Sequence, residues 1–174
     1  HGRGTFVSRA FERISMLRFV GFSLAEAGRT PDTATLAIEV APASPELCAR
    51  LQLAPGSHAL YLHRTRSADG EVLLSEHVWL PHKPFQKLEA HLRAHDVPLL
   101  YPVYDAVCGV LVSQAADELS AVPLPAADAR LLKCPKGSLG IRIERRMSDP
   151  AGRPIEWRVA YVRPDRFRYA VETR

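Results

Sequence analysis

Two arginines in one strand-like segment and a glutamate in the next are the residues of this 174-residue chain whose types and spacing can do chemistry. The segment from His58 to Arg66 reads HALYLHRTR. Alternate residues of a strand share a face, so His58, Leu60, Leu62, Arg64 and Arg66 point one way, and two guanidiniums continue an apolar face. Ala68-Asp69-Gly70 reads as a three-residue hairpin loop, with glycine where a left-handed residue is needed, and Glu71 to Leu80 as the returning strand. Across such a turn Val72, Leu74, Glu76 and Val78 come back on the face of the arginines, which sets Glu76 among aliphatic neighbours near Leu62 and Arg64. A buried charge is costly unless paired. Two readings follow. One is an Arg64–Glu76 ion pair at the edge of the core. In the other, one carboxylate cannot satisfy two arginines, and the spare donors await a carboxylate or phosphate, which guanidinium grips bidentately.

A second hairpin, Gly140 to Ser148 and Pro154 to Val162, turns through Asp149-Pro150-Ala151-Gly152. Its returning strand puts Glu156, Arg158, Ala160 and Val162 on one face and Trp157, Val159 and Tyr161 on the other. The pattern leaves Glu156 and Arg158 open to either a pocket or solvent. A helix beginning at Leu99-Leu100-Tyr101-Pro102 presents free backbone N–H groups that suit an anion if they point at the arginines. Tyr101 either closes such a site or simply packs.

Other elements must carry these strands. A helical pattern runs from Arg9 to Gly28 with an interruption at Gly21, then a strand from about Thr35 to Val40. A short helix spans Ser44 to Leu51, with Ser44 as N-cap and Pro45 at its first position. Between the hairpins lie helices at Pro84 to His95 and Leu99 to Val107, a strand at Val110 to Leu119 and a short helix near Pro125 to Leu132. Helices packed on a mainly antiparallel sheet make an α+β fold. Each hairpin follows a helix that ends in a glycine turn (Leu53-Ala54-Pro55-Gly56 and Cys134-Pro135-Lys136-Gly137), a weak internal repeat. It predicts a pseudo-symmetric sheet whose halves face each other across a pocket.

Composition narrows the class. Apolar residues at 47% and charged residues at 24% are ordinary for a globular domain and exclude a disordered or fibrous chain. No apolar run approaches the ~20 residues that cross a bilayer, and no signal peptide opens the chain, so a cytoplasmic protein without membrane contact is expected. The net charge of +4 is spread over scattered arginines and makes no nucleic-acid patch. Cys48, Cys108 and Cys134 have no CxxC spacing and are expected to be small buried hydrophobes. His91 and His95 stand four apart on a helix without an HExxH glutamate, so no metal or cofactor is expected. His58, His63 and His77 read as surface or pocket-wall residues.

Taken together, these motifs resemble the UTRA domain, the effector-binding module of HutC-type GntR-family regulators, whose fold is that of chorismate pyruvate-lyase. Gly2-Arg3-Gly4-Thr5-Phe6-Val7 resembles the G-x-G-T-[FY]-V that closes the wing of the family's winged-helix head. Leu51-Gln52-Leu53-Ala54-Pro55-Gly56 resembles L-x-L-x-x-G, and Arg64 to Gly70 resembles R-x-R-x-x-D-G. Glu76 to Pro81, Pro154 to Glu156 and Arg163 to Phe167 resemble E-x-x-x-x-P, P-x-E and R-G-D-R-[YF]. The resemblance implies a wing remnant at residues 1–7, with the rest of the DNA-binding head missing, and an effector-binding, dimerising domain at 8–174. It nominates Arg64, Arg66, Glu76, Tyr101 and Glu156 as ligand contacts, with Arg158, Leu99 and a capping Phe19 beside Arg18. Leu99 replaces the serine of the family's S-L-Y, and Val162 its second tyrosine. A small anionic metabolite, carboxylate or phosphate, is therefore expected in a homodimer that meets DNA only through the missing head, as a repressor. The rival readings are a chorismate lyase-like enzyme, for which no nucleophile–base pair appears, and a dimerisation module without ligand.

Overall fold

A computed structural model describes residues 31–167. The helix expected at Arg9 to Gly28, the wing remnant, Arg18 and Phe19 lie outside the described residues. The chain runs β1 (Asp32–Pro42), α1 (Pro45–Leu51), β2 (His58–Ala68), β3 (Glu71–Pro81), a 3-10 turn (Lys83–Phe85), α2 (Gln86–Ala94) and α3 (Leu100–Cys108). It continues with β4 (Gln114–Pro123), α4 (Ala126–Leu131), β5 (Leu139–Ser148), β6 (Pro154–Val162) and a second 3-10 turn (Pro164–Arg166). The strands form one antiparallel sheet in the order β1-β2-β3-β6-β5-β4.

That order reads the same from both ends, so the internal repeat is real. Each half is a strand, a short helix and a hairpin. Gln52 and Lys133 both take left-handed backbone at the helix ends (φ 51 and 54), and Gly56 and Gly137 match in the following turns (φ 82 and 84). The halves do not face each other as expected. They join edge to edge through β3 and β6, because both returning strands still offer an unpaired edge.

Helix α1 starts as its sequence dictates: Ser44 Oγ accepts from Leu47 N–H at 3.2 Å, with Pro45 at the first position. Leu47 and Leu51 pack on Ala59, Trp157 and Val159. Leu124, Ala129 and Leu132, in and beside α4, pack with Val72 and Tyr161 on the same outer face. Each short helix therefore lies over strands of the other half: α1 packs on β6 and α4 on β3. The inner face holds the main core, in which Leu60, Leu62, Val78 and Leu80 meet Phe85, Leu88, Leu100 and Tyr104.

Three expectations change. The first hairpin turns through two residues, Asp69 and Gly70, both left-handed (φ 53 and 74), and a bulge lies between Arg66 and Ser67. The bulge absorbs one residue, so Arg64 still faces Glu76. It also reverses the alternation at the turn, and Val72 packs on the α4 side instead of sharing a face with Glu76. The strand expected from Val110 begins at Gln114: Val110 and Val112 spend their apolar side chains on the inner core, and ladder pairing with β5 starts only where they end. The cysteines are half-buried, and Cys48 Sγ lies 3.7 Å from Ala43 O.

Gly140, at the start of β5, lies against Leu124 in the link between β4 and α4. A Cβ there would stand 2.2 Å from Leu124 Cδ2 and 3.2 Å from the Val162 carbonyl oxygen. Gly140→Ala should cost about 1–3 kcal/mol in urea denaturation, since Leu124 can turn away but the carbonyl cannot.

Candidate functional site

The seam between β3 and β6 carries the densest set of buried charges. Arg64 and Glu76 are register partners, as are Glu76 with Ala160 and Val78 with Arg158, so β2, β3 and β6 deliver their polar side chains to one patch of the inner face. Arg64, Glu76 and Glu156 are fully buried, and Arg158 and Arg66 nearly so. Both residues that the sequence left open, Glu156 and Arg158, thus belong to the interior.

Arg158 ties the two carboxylates together. Its Nη1 donates to Glu76 Oε2 at 2.8 Å, and its Nε and Nη2 donate to Glu156 at 2.8 and 3.1 Å. Tyr104 O–H donates to Glu156 Oε2 at 2.5 Å, and the Arg158 guanidinium stands 5.4 Å from the Tyr101 ring centre. Glu76 Oε1 is left with Arg66 Nη2 at 3.4 Å and Arg64 Nη1 at 3.9 Å. Burial alone would push the Glu76 carboxyl up, but Arg158, Arg66 and Arg64 more than offset it and hold it at about 2. Burial weakens the Arg158 proton hold, and Glu156 and Glu76 outweigh that, raising it well above its ordinary value. Arg64 fares differently: burial pulls it down to about 10 although Glu76 pulls the other way.

The two arginines of β2 lean on the chain before α3. Arg64 Nη2 donates to the Val97 carbonyl, and Arg66 Nη1 donates to Pro98 O at 2.7 Å and to Thr33 Oγ1 at 2.8 Å. The helix start does adjoin the arginines, but it meets them with carbonyls ahead of the helix, where free N–H groups were expected. Leu99 is the N-cap of α3, makes no side-chain cap and is exposed.

Three guanidiniums, Arg64, Arg66 and Arg158, thus face two carboxylates, Glu76 and Glu156, an excess of one positive charge. Among the described residues, four buried polar atoms make no hydrogen bond: Arg64 Nε and Nη1, Arg66 Nε, and the Tyr101 hydroxyl. Such groups are rare in folded proteins and cost about 1–3 kcal/mol each. Burial raises the Tyr101 hydroxyl to about 12, so it stays a neutral donor. Open clefts of about 520 and 460 Å³ lie elsewhere, beside Arg50 and Arg146 and beside Leu53 and Ile155, and neither touches this cluster.

Sequence reasoning missed two members of this interior. Tyr104 stands three residues beyond Tyr101 on α3, a spacing that puts both on one helix face. Arg145 follows Gly137 at the interval at which Arg64 follows Gly56, and so occupies the same place in the second half. It is fully buried and bidentate to Asp117, at 2.6 and 2.9 Å. The repeat already visible in the glycine turns would have pointed to it.

Residues 26–168 match the profile of the UTRA domain. An HTH-type transcriptional regulator of Rhizobium meliloti is 28% identical over 99% of this chain and 71% of its own length. A crystal structure from Bordetella bronchiseptica, assigned as the ligand-binding domain of a GntR-family regulator, superposes with a TM-score of 0.77 at 24% identity, covering 83% of this chain and 92% of that one. A GntR-family regulator from Enterococcus faecalis superposes at 0.72 with 22% identity, over 82% and 100%. The α+β, chorismate lyase-like fold expected from the sequence is the fold of these neighbours.

Proposed function

The chain belongs to the UTRA domain family, and on that premise we propose that it is the effector-sensing, dimerising part of a cytoplasmic GntR-type repressor, binding a small anionic metabolite at Arg64, Arg66 and Tyr101. The observation that carries this reading is the set of unpartnered buried donors. Arg64 Nε and Nη1, Arg66 Nε and the Tyr101 hydroxyl make no hydrogen bond, and together they offer a carboxylate or phosphate three guanidinium nitrogens and one neutral O–H. Arg158 is spent on Glu76 and Glu156 and acts as the frame that spaces the two carboxylates. Glu76 and Glu156 would accept from ligand hydroxyl or ammonium groups, and the exposed Leu99 would stand at the rim.

In a full-length regulator, DNA would be read by a winged-helix head, and effector binding would change the relative placement of two heads in a homodimer. A bound anion repays the orphaned donors only in the conformation that gathers them, which supplies the differential affinity that such a shift requires. The one hydroxyl–imidazole pair that bears on a lyase, Ser75 Oγ at 2.9 Å from His63 Nε2, gives it no support, because Ser75 is fully buried and its hydroxyl donates to Asp128.

A thermal-shift screen of the purified chain against phosphosugars and aliphatic and aromatic carboxylates tests this reading. At a hundredfold excess over Kd a true effector adds about 2.7 kcal/mol of stability, a shift of several degrees for a domain of this size. A set of anions that leaves the melting temperature unmoved would remove the sensing role and leave a bare dimerisation module.

A further inference from the structure

The outer face of the sheet carries a second polar cluster that anion sensing does not use. His63 of β2 and His77 of β3 are register partners whose rings stack with centroids 4.4 Å apart and planes 15° from parallel. Along the chain they adjoin Arg64 and Glu76, but strand alternation points them away from that site. Asp128 comes down from α4, with Oδ1 3.0 Å from His77 Nε2 and 4.0 Å from His63 Nε2. One ligand atom from each of the three lies within 4.8 Å of the others. Two atoms held by one first-row ion at 2.0–2.2 Å can be at most about 4.4 Å apart, so small side-chain rotations close the site.

We propose that His63, His77 and Asp128 bind one divalent transition-metal cation of the zinc class, through two imidazole nitrogens and a carboxylate oxygen. Two imidazoles and a carboxylate are a donor set that suits zinc and leaves coordination positions for water. Asp128 is 2% exposed, while the imidazole side chains remain 17% and 18% exposed, so the carboxylate is dry and the ion has a way in. The supporting contacts are those of a metal site. Tyr61 Oη sits 2.7 Å from His77 Nδ1 and turns the other ring nitrogen toward Asp128. Ser75 O–H donates to Asp128 Oδ1 at 2.6 Å and lies 2.9 Å from His63 Nε2. A bound ion would fasten α4 of one half to the β2–β3 hairpin of the other, directly behind the arginines.

The test uses the whole purified chain, freed of metal by chelator dialysis. Calorimetric titration with Zn²⁺ is expected to give one ion per chain, and Co²⁺ is expected to give visible d–d absorption without the thiolate charge-transfer band that the cysteines would produce. His63→Ala and His77→Ala should each weaken Zn²⁺ binding at least ~10-fold, whereas His91→Ala, which disrupts the His91–His95 pair on α2, should not. Zn²⁺-induced shifts of the His63 and His77 ring resonances in the unaltered protein give the same answer without a variant. The proposal is overturned if no ion binds, if a thiolate band appears, if binding is lost in His91→Ala, or if those ring resonances stay unmoved. None of these outcomes depends on whether an anion binds at Arg64.

Discussion

Glu76→Gln should lower stability by about 3–5 kcal/mol in urea denaturation at neutral pH, the cost of breaking a buried ion pair from one side. The change is nearly isosteric, so packing contributes little. What is lost is the charge that three guanidiniums share: Arg158 at 2.8 Å, Arg66 at 3.4 Å and Arg64 at 3.9 Å. Glu156 does not replace it, because its charge is already matched by Arg158, which it meets through both oxygens. The same carboxylate sets an acid limit. Its folded pKa, about 2, lies below the unfolded value near 4.3, so its contribution is complete above the unfolded value and is lost as pH falls from about 4.3 toward 2. Stability curves of parent and variant should therefore converge over that interval. Curves that stay parallel down to pH 2 would show that Glu76 is not the anchor.

Arg64→Leu is expected to separate stability from sensing. Folding free energy should remain within about 2 kcal/mol of the parent, because removal of a cation in excess is offset by leaving the Val97 carbonyl without its donor. Effector affinity, measured by calorimetry with whichever anion raises the melting temperature, should fall about 30-fold to several thousand-fold, the 2–5 kcal/mol that truncating one partner of a buried charge contact costs. Retained affinity would move the anion away from Arg64. A variant as stable as its parent and deaf to the effector would show that the arginine is kept for binding at the expense of packing.

How far the sequence reached follows from where its information is local. Ser44 and Pro45 announce α1 because capping is a matter of a few adjacent residues, and Asp69-Gly70 places the first hairpin turn within one residue. Period-two alternation put Arg64 and Glu76 together even though the loop length was misjudged, because the bulge compensated for the shorter turn. Val110 to Val112 misled for the opposite reason: an apolar run reads alike in a strand and in a connection that packs on a core. The burial of Glu156 and Arg158 was undecidable in principle. It depends on the pairing of β3 with β6, a contact between segments far apart in the chain, and on Tyr104 arriving from α3 to bond Glu156.

The crossing of the two short helices has a mechanical meaning. Arg50 of α1 reaches Glu144 on β5, which also accepts from Arg142 on its own strand and from the Trp157 indole on β6, while Asp128 of α4 holds β3 through Ser75 and His77. The halves are clasped like folded arms, each gripping the other, and neither can be dismantled while the other stands. A disturbance that pries β3 from β6 must loosen both grips together, so the seam beneath the arginines either holds or yields as one piece.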